Sequence, residues 1–252
     1  MFTLRRADER QHVQVSAQEL WRTFRPPDLA GAPEREENVP ATHTAGFGVL
    51  EALDESRLPP GAEVVHLPDR EAETITYVLR GALAQEDTKG RTEILRAGEF
   101  QRMTLARSAR CHERNASQTD WVRFLRLSLH SAASQADHTR ERRFFSVAQR
   151  RGLLCLVGSQ DGRRQSIRLY QDVLILSAVL SPGHHVIHEL RPDRMAWLHL
   201  VMGEASLGDF VAGQGDGAGI AGQRAISITA LEECEILLID LHRPAQAPGV
   251  DR

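Results

Sequence analysis

The chain states nearly the same pattern twice, and that repetition constrains its fold more than any single motif. Tyr77-Val78-Leu79-Arg80-Gly81-Ala82-Leu83 returns as His199-Leu200-Val201-Met202-Gly203-Glu204-Ala205. Ala97-Gly98-Glu99-Phe100-Gln101-Arg102-Met103-Thr104 returns as Ala221-Gly222-Gln223-Arg224-Ala225-Ile226-Ser227-Ile228-Thr229. Gly81 and Gly203 lie 122 positions apart, and Gly98 and Gly222 lie 124 apart. Spacings that agree this closely point to one unit laid down in tandem. Each half then ends on an apolar run, at 122–129 and 235–241. With 252 residues the chain has room for two units, each with its own core.

The repeated unit reads as β-structure. Residues 74–79 form a β-branched and aromatic run that stops at Gly81, and residues 82–86 and 91–95 flank the turn signal Asp87-Thr88-Lys89-Gly90. That pattern predicts a hairpin. Ala97-Gly98 marks another turn, and 100–105 and 122–129 read as further strands. Strands at this spacing suggest a sandwich or barrel, and two barrels side by side would each close a sheet and hide its edges. Helical periodicity is scarce; the best candidate is 17–24, capped by Ser16. The expectation is an all-β chain of two tandem antiparallel barrels with few short helices, residues 1–135 forming the first and 136–252 the second. Residues 25–44, rich in Pro, Ala, Glu and Asn, read as a long surface excursion. The break at 131–151 carries Arg140, Arg142, Arg143, Arg150 and Arg151, and reads as a solvated connector rather than a partner-binding patch.

Composition serves mainly to exclude. No apolar run approaches the ~20 residues of a membrane-spanning helix, and the opening MFTLRRADERQ is too polar for a secretory signal. Cys111, Cys155 and Cys234 lie far apart, so a reducing, cytoplasmic setting is the simplest expectation. Lys and Arg number 31 against 34 Asp and Glu, a net charge of −3 that offers no pull towards nucleic acid or an anionic membrane. There is no phosphate-binding glycine loop: Gly213, Gly215, Gly217 and Gly219 lie between strands, with no helix to follow.

Several ordered motifs resemble the pirin family. They are Glu73-Thr74-Ile75-Thr76-Tyr77-Val78-Leu79-Arg80-Gly81, Glu86-Asp87-Thr88-Lys89-Gly90, Ala97 to Thr104, and His112-Glu113-Arg114-Asn115. Arg142-Arg143-Phe144-Phe145 at the junction fits the same pattern, as do Asp161-Gly162, Gln171-Asp172-Val173, Ala225 to Ile228 and Leu237-Leu238-Ile239-Asp240. The resemblance spans nearly the whole chain apart from 25–44. It implies a bicupin of two cupin or jelly-roll barrels, the first normally holding a non-haem iron or similar divalent metal. It also implies quercetin dioxygenase activity in bacterial relatives and transcriptional co-regulation in eukaryotic ones. Fold alone carries neither function over.

In that family a His-x-His pair precedes the Glu-x-x-Thr-Tyr strand, and a His-x-Glu pair follows the Gln-x-Met-Thr strand. Counted without gaps, these positions fall on Leu67 and Asp69, and on Cys111 and Glu113. Only the glutamate matches. Leu67 offers no donor, and Asp69, Cys111 and Glu113 would mix a soft thiolate with hard carboxylates, a poor set for iron chemistry. His66 and His112 each sit one residue from a matched position, and a one-residue shift in a strand reverses the side chain. Both are therefore expected to face outwards; recruiting them to a metal would need bulges. In the second half, His184 and His185 are expected at an exposed turn. His199 should share a strand face with Met195, Trp197 and Val201, and the cluster with His188 reads as structural.

Two functions remain as expectations. The first is a pirin-like bicupin with a degenerate, metal-free site in the first barrel, binding a small aromatic ligand or a protein partner. The second is a quercetin dioxygenase-type oxidoreductase that holds one divalent metal, iron or similar, through Glu113 in a non-standard ligand set.

Overall fold

A computed structural model describes residues 2–24, 46–66, 71–86, 90–105, 110–130 and 139–243. The excursion at 25–44, positions Leu67 and Asp69, and most of the turn at 87–90 lie outside the described residues.

The tandem plan is realised as two pairs of sheets. In the first half, Arg140–Phe144, Glu99–Leu105, Ala72–Arg80, Val122–His130, Leu50–Leu58, Gln18–Arg22 and Gln11–Val15 lie side by side in that order. A four-stranded sheet of Glu63–His66, Cys111–Asn115, Ala82–Glu86 and Thr92–Arg96 faces them. The second half repeats this arrangement. Its seven-stranded sheet is centred on Arg194–Met202, Cys234–His242 and Val173–Leu180, and its four-stranded sheet contains His185–Glu189, Ala225–Ala230, Ala205–Leu207 and Phe210–Ala212. The repeated glycines explain why the motif survived in both halves. Gly81 and Gly203 have φ of 80° and 74°. A Cβ there would come within 2.7 Å of the Trp121 carbonyl oxygen and within 2.2 Å of the Glu233 carbonyl oxygen. Only glycine turns the chain so tightly against the start of the closing strand.

Strand alternation divides each seven-stranded sheet into an inner and an outer face. On Val122–His130, Leu125, Leu127 and Leu129 point to the other barrel, where they pack with Ile75, Tyr77, Phe100, Trp197, Val201, Leu237, Ile239 and Leu241. The alternate residues, Val122 and Phe124 among them, point into the first barrel. The largest apolar cluster is thus the seam between barrels. Each Leu or Ile buried there contributes about 1.5–3 kcal/mol, and the seam fixes one barrel against the other. Its rim is polar: the Arg150 guanidinium donates to the Tyr77 hydroxyl (2.8 Å) and the Ser177 hydroxyl (3.0 Å).

Three expectations need correction. Residues 18–22 are a strand, not a helix; Ser16, expected as a cap, has φ 54° and forms the turn of a hairpin with Gln11–Val15. The division of the chain at 135 and 136 does not follow the sheets at two edges. Phe2–Arg5 pairs with Gly217–Ile220 of the second barrel, and Arg140–Phe144 pairs with Glu99–Met103 of the first. Each half therefore lends an edge strand to the other, which caps an open sheet edge. The arginines at 140–143 are accordingly part of a paired strand rather than a connector. The N-terminal crossing is fastened by Asp216, which accepts from Arg6 Nη1 (2.8 Å) and the Ala7 backbone N–H (2.7 Å).

Candidate functional site

Inside the first barrel the Cys111–Asn115 strand alternates strictly. Cys111, Glu113 and Asn115 are buried, while His112 and Arg114 face out. His112 lies 3.3 Å from the outer Glu63 carboxylate, as strand parity requires. His66 ends the neighbouring strand Glu63–His66 of the same small sheet. Cys111 pairs in register with His66 and Glu113 with Val64, and Val64 packs against the barrel interior.

Glu113 is the centre of a polar layer one residue thick. Across the large sheet, Gln101 pairs with Thr76, Thr76 with Arg126, Arg126 with Asp54, and Asp54 with Arg22. Across the small sheet, Glu93 pairs with Gln85 and Gln85 with Glu113. The two rows meet inside. Arg126 Nη2 donates to Glu113 Oε1, which also accepts from Gln85 Nε2 at 2.7 Å. Gln101 Nε2 donates to Glu93 at 2.9 Å. Arg22, Asp54, Arg126 and Glu113 thus alternate in sign around a belt. Beneath it lies an apolar floor of Leu58, Val78, Leu83, Leu95, Val122 and Phe124, and on its other side sit Met103 and Cys111. The Arg126 guanidinium also lies 5.5 Å from the Phe124 ring, within cation–π range.

The electrostatics of this belt are those of a desolvated network. Burial alone would lower the pKa of Arg126, but Glu113, with Cys111 and Asp54, holds it above its ordinary value. Burial pushes the Asp54 carboxyl up to about 6 against the pull of Arg22 and Arg126. The belt also keeps hydrogen-bonding capacity in reserve. Gln85 Oε1, Gln101 Oε1, Asp54 Oδ1 and Arg22 Nε are buried and have no hydrogen-bond partner among the described residues. Both carboxamides are oriented by donation to a carboxylate, so their oxygens present acceptors to the interior. Buried polar atoms left this way ordinarily call for a partner.

Of the ligand set that the resemblance implies, Glu113 alone matches among the described residues. The carboxylate at the one matching position is held by a guanidinium and a carboxamide. A fixed unit charge and a divalent ion about 4 Å apart repel by roughly 8 kcal/mol at an effective dielectric of 20. His112 faces away, and Leu67 and Asp69 lie outside the described residues. Among the described residues no group of three or more His, Cys, Asp or Glu side chains converges to hold an ion.

Sequence reasoning found Glu113 and Cys111 but missed Arg126, Gln85, Gln101, Asp54 and Arg22. One signal was present: in Val122–His130, Arg126 falls at a position that alternation assigns, with Val122 and Phe124, to the inner face.

The second barrel has no such belt. Val186 pairs with Ile228 and His188 with Ile226, so isoleucines occupy the places of Glu113 and Cys111. They pack with Ala178, Leu180, Leu198, Leu200 and Leu238. His188 Nε2 bonds Asp240 at 2.7 Å, and Asp240 also accepts from Arg194. His199 lies on the face that carries Trp197 and Val201 against the first barrel, and His184 and His185 are exposed.

Comparison with known proteins agrees with both halves. Residues 32–128 match the family described as pirin, and residues 156–241 match the quercetinase C-terminal cupin domain. A quercetin 2,3-dioxygenase of Escherichia coli K12 is 28% identical over 241 residues, covering 96% of this chain and 99% of the relative. A pirin-like protein of Caulobacter vibrioides is 25% identical and covers 77% of this chain and 84% of its own length. The crystal structure of the bacterial pirin YhhW from E. coli in complex with nickel(II) superposes with a TM-score of 0.81 at 26% identity, covering 96% of this chain and 99% of that one.

Proposed function

This chain belongs to the pirin family of bicupins, and we propose that within it the protein acts without a metal, as a cytoplasmic small-molecule-binding or regulatory protein rather than a dioxygenase. The observation that carries this reading is the state of Glu113. Its carboxylate, the one retained family ligand, is bound by Arg126 and Gln85 inside the first barrel. The belt above the apolar floor suits a small aromatic ligand that bears hydroxyl groups. Hydroxyls of such a ligand would donate to Gln85 Oε1 and Gln101 Oε1.

The second reading is a metal-dependent quercetin 2,3-dioxygenase, the activity in the name of the E. coli relative. The retained Glu113 and the register of His66 opposite Cys111 favour it. Oxygen uptake with quercetin, measured on purified protein supplied with iron(II) or nickel(II), separates the two. The metal-free reading expects no quercetin-dependent uptake and saturable quercetin binding under anaerobic conditions. Steady turnover that vanishes in Glu113→Ala would establish the dioxygenase instead.

A further inference from the structure

Arg126 has a role that the metal-free reading leaves open, and the inference rests on that reading. Its guanidinium reaches the carboxylate at the matching ligand position. The Cys111 thiol at the other matching position of that strand lies within its electrostatic reach. Asp54 flanks it in register on the next strand. A cation is therefore seated among acidic groups that would otherwise crowd a low-dielectric interior. We propose that the Arg126 guanidinium is a built-in substitute for the divalent ion: a positive charge carried by the scaffold itself, which neutralises Glu113, holds the two walls of the first barrel together and shuts out a mobile metal.

Three features support this assignment beyond the single contact. Arg126 springs from the large sheet and Glu113 from the small one, so their bond links the opposing walls as a shared ion would. Gln85 donates to the same Glu113 oxygen, giving that oxygen two donors. The second barrel, where Ile226 and Ile228 replace Cys111 and Glu113, has Leu238 among its inner residues and needs no cation at this level. Acidic group and internal cation are present together in one barrel and absent together from this level of the other.

Chemical rescue tests the assignment. In Arg126→Ala the charge is lost and space is left for a free ion. Its thermal midpoint should fall by about 10 °C, the scale of a buried pair broken on one side. Millimolar guanidinium chloride or nickel(II) chloride should restore at least half of that fall, whereas sodium chloride at equal ionic strength should not. Neither cation should raise the midpoint of the wild-type chain. If both cations leave the variant unmoved, or sodium chloride restores it equally, the assignment is wrong. Should Arg126→Ala fail to fold, refolding from urea with and without nickel(II) is the measurement. Recovery only with the ion supports the proposal, and no recovery overturns it. Metal content of the wild-type chain separates the two failures: a metal-free chain whose variant is not rescued fails this proposal alone, whereas a bound metal in the wild-type chain fails both.

Discussion

The two barrels share a plan of sheets and turns but differ in what fills them. At matching register the first holds Cys111 and Glu113 where the second holds Ile226 and Ile228. Around Ile228 the second interior is Ala, Val, Ile and Leu, and its ionic groups, His188, Asp240 and Arg194, begin where His188 pairs with Ile226. The first interior places four alternating charges and two glutamines across its middle. Burying such groups is costly unless each is paired, and well-packed apolar residues are often as stable or more so. The second barrel shows what this scaffold becomes when stability alone is served. On the proposed function, the belt in the first barrel is the working part of the molecule.

The largest effect should come from breaking the belt on one side. Glu113→Ala leaves Arg126 buried without its main counter-charge, and chemical denaturation should show a loss of about 4 kcal/mol. Making the first barrel resemble the second should reverse this. The double variant Arg126→Met with Glu113→Leu removes both charges at once, and its stability should return to within about 1 kcal/mol of wild type or exceed it. Quercetin binding should be lost in the double variant. A double variant as unstable as Glu113→Ala would mean that the pair stabilises through shape rather than charge.

Titration sharpens the comparison between belt and seam. Asp54 in the belt has its folded pKa raised from 3.8 to about 6. The folded chain then binds more protons than the unfolded one between about pH 4 and 6, so stability falls as pH rises through that window, by roughly 3 kcal/mol at most. His199 in the seam has the opposite displacement. Burial first, and then Arg10, lower it from 6.5 to about 4. The unfolded chain binds the extra proton, so His199 makes stability rise over nearly the same window. In wild type the slopes oppose each other. Asp54→Asn should expose a rise in stability from pH 4 to 6, and His199→Gln should expose a fall. Thermal melts across this range are the check, and parallel curves for the two variants would contradict both assignments.

Smaller effects belong to the hydrogen-bonding reserve and the outer face. Gln85→Leu and Gln101→Leu should each weaken quercetin binding about tenfold, the scale of one buried hydrogen bond. His112→Ala, which alters only an exposed contact with Glu63, should change stability by less than about 0.5 kcal/mol and leave ligand binding unchanged.

Much of this architecture is legible in the sequence because it depends on local rules. Gly81 and Gly203 are required by a backbone turn, so the duplication that they mark is visible without coordinates. The inward direction of Glu113 and the outward direction of His112 follow from strand period alone. What is hidden is pairing. Asp54, Arg126 and Glu113 lie on three strands, and no local pattern says that they meet at one level; the register does. The segment 18–22 misleads for a related reason. Gln-Glu-Leu-Trp-Arg has acceptable helix formers, but as a hairpin it buries Leu20 and extends the large sheet. Phe2–Arg5 likewise contains nothing to announce that it crosses to the other barrel.

The most direct measurement is calorimetric titration of the wild-type chain with nickel(II). With Glu113 held by Arg126, no stoichiometric heat of binding should appear at micromolar protein. One saturable site per chain, abolished by Glu113→Ala, would show that the carboxylate serves a metal after all.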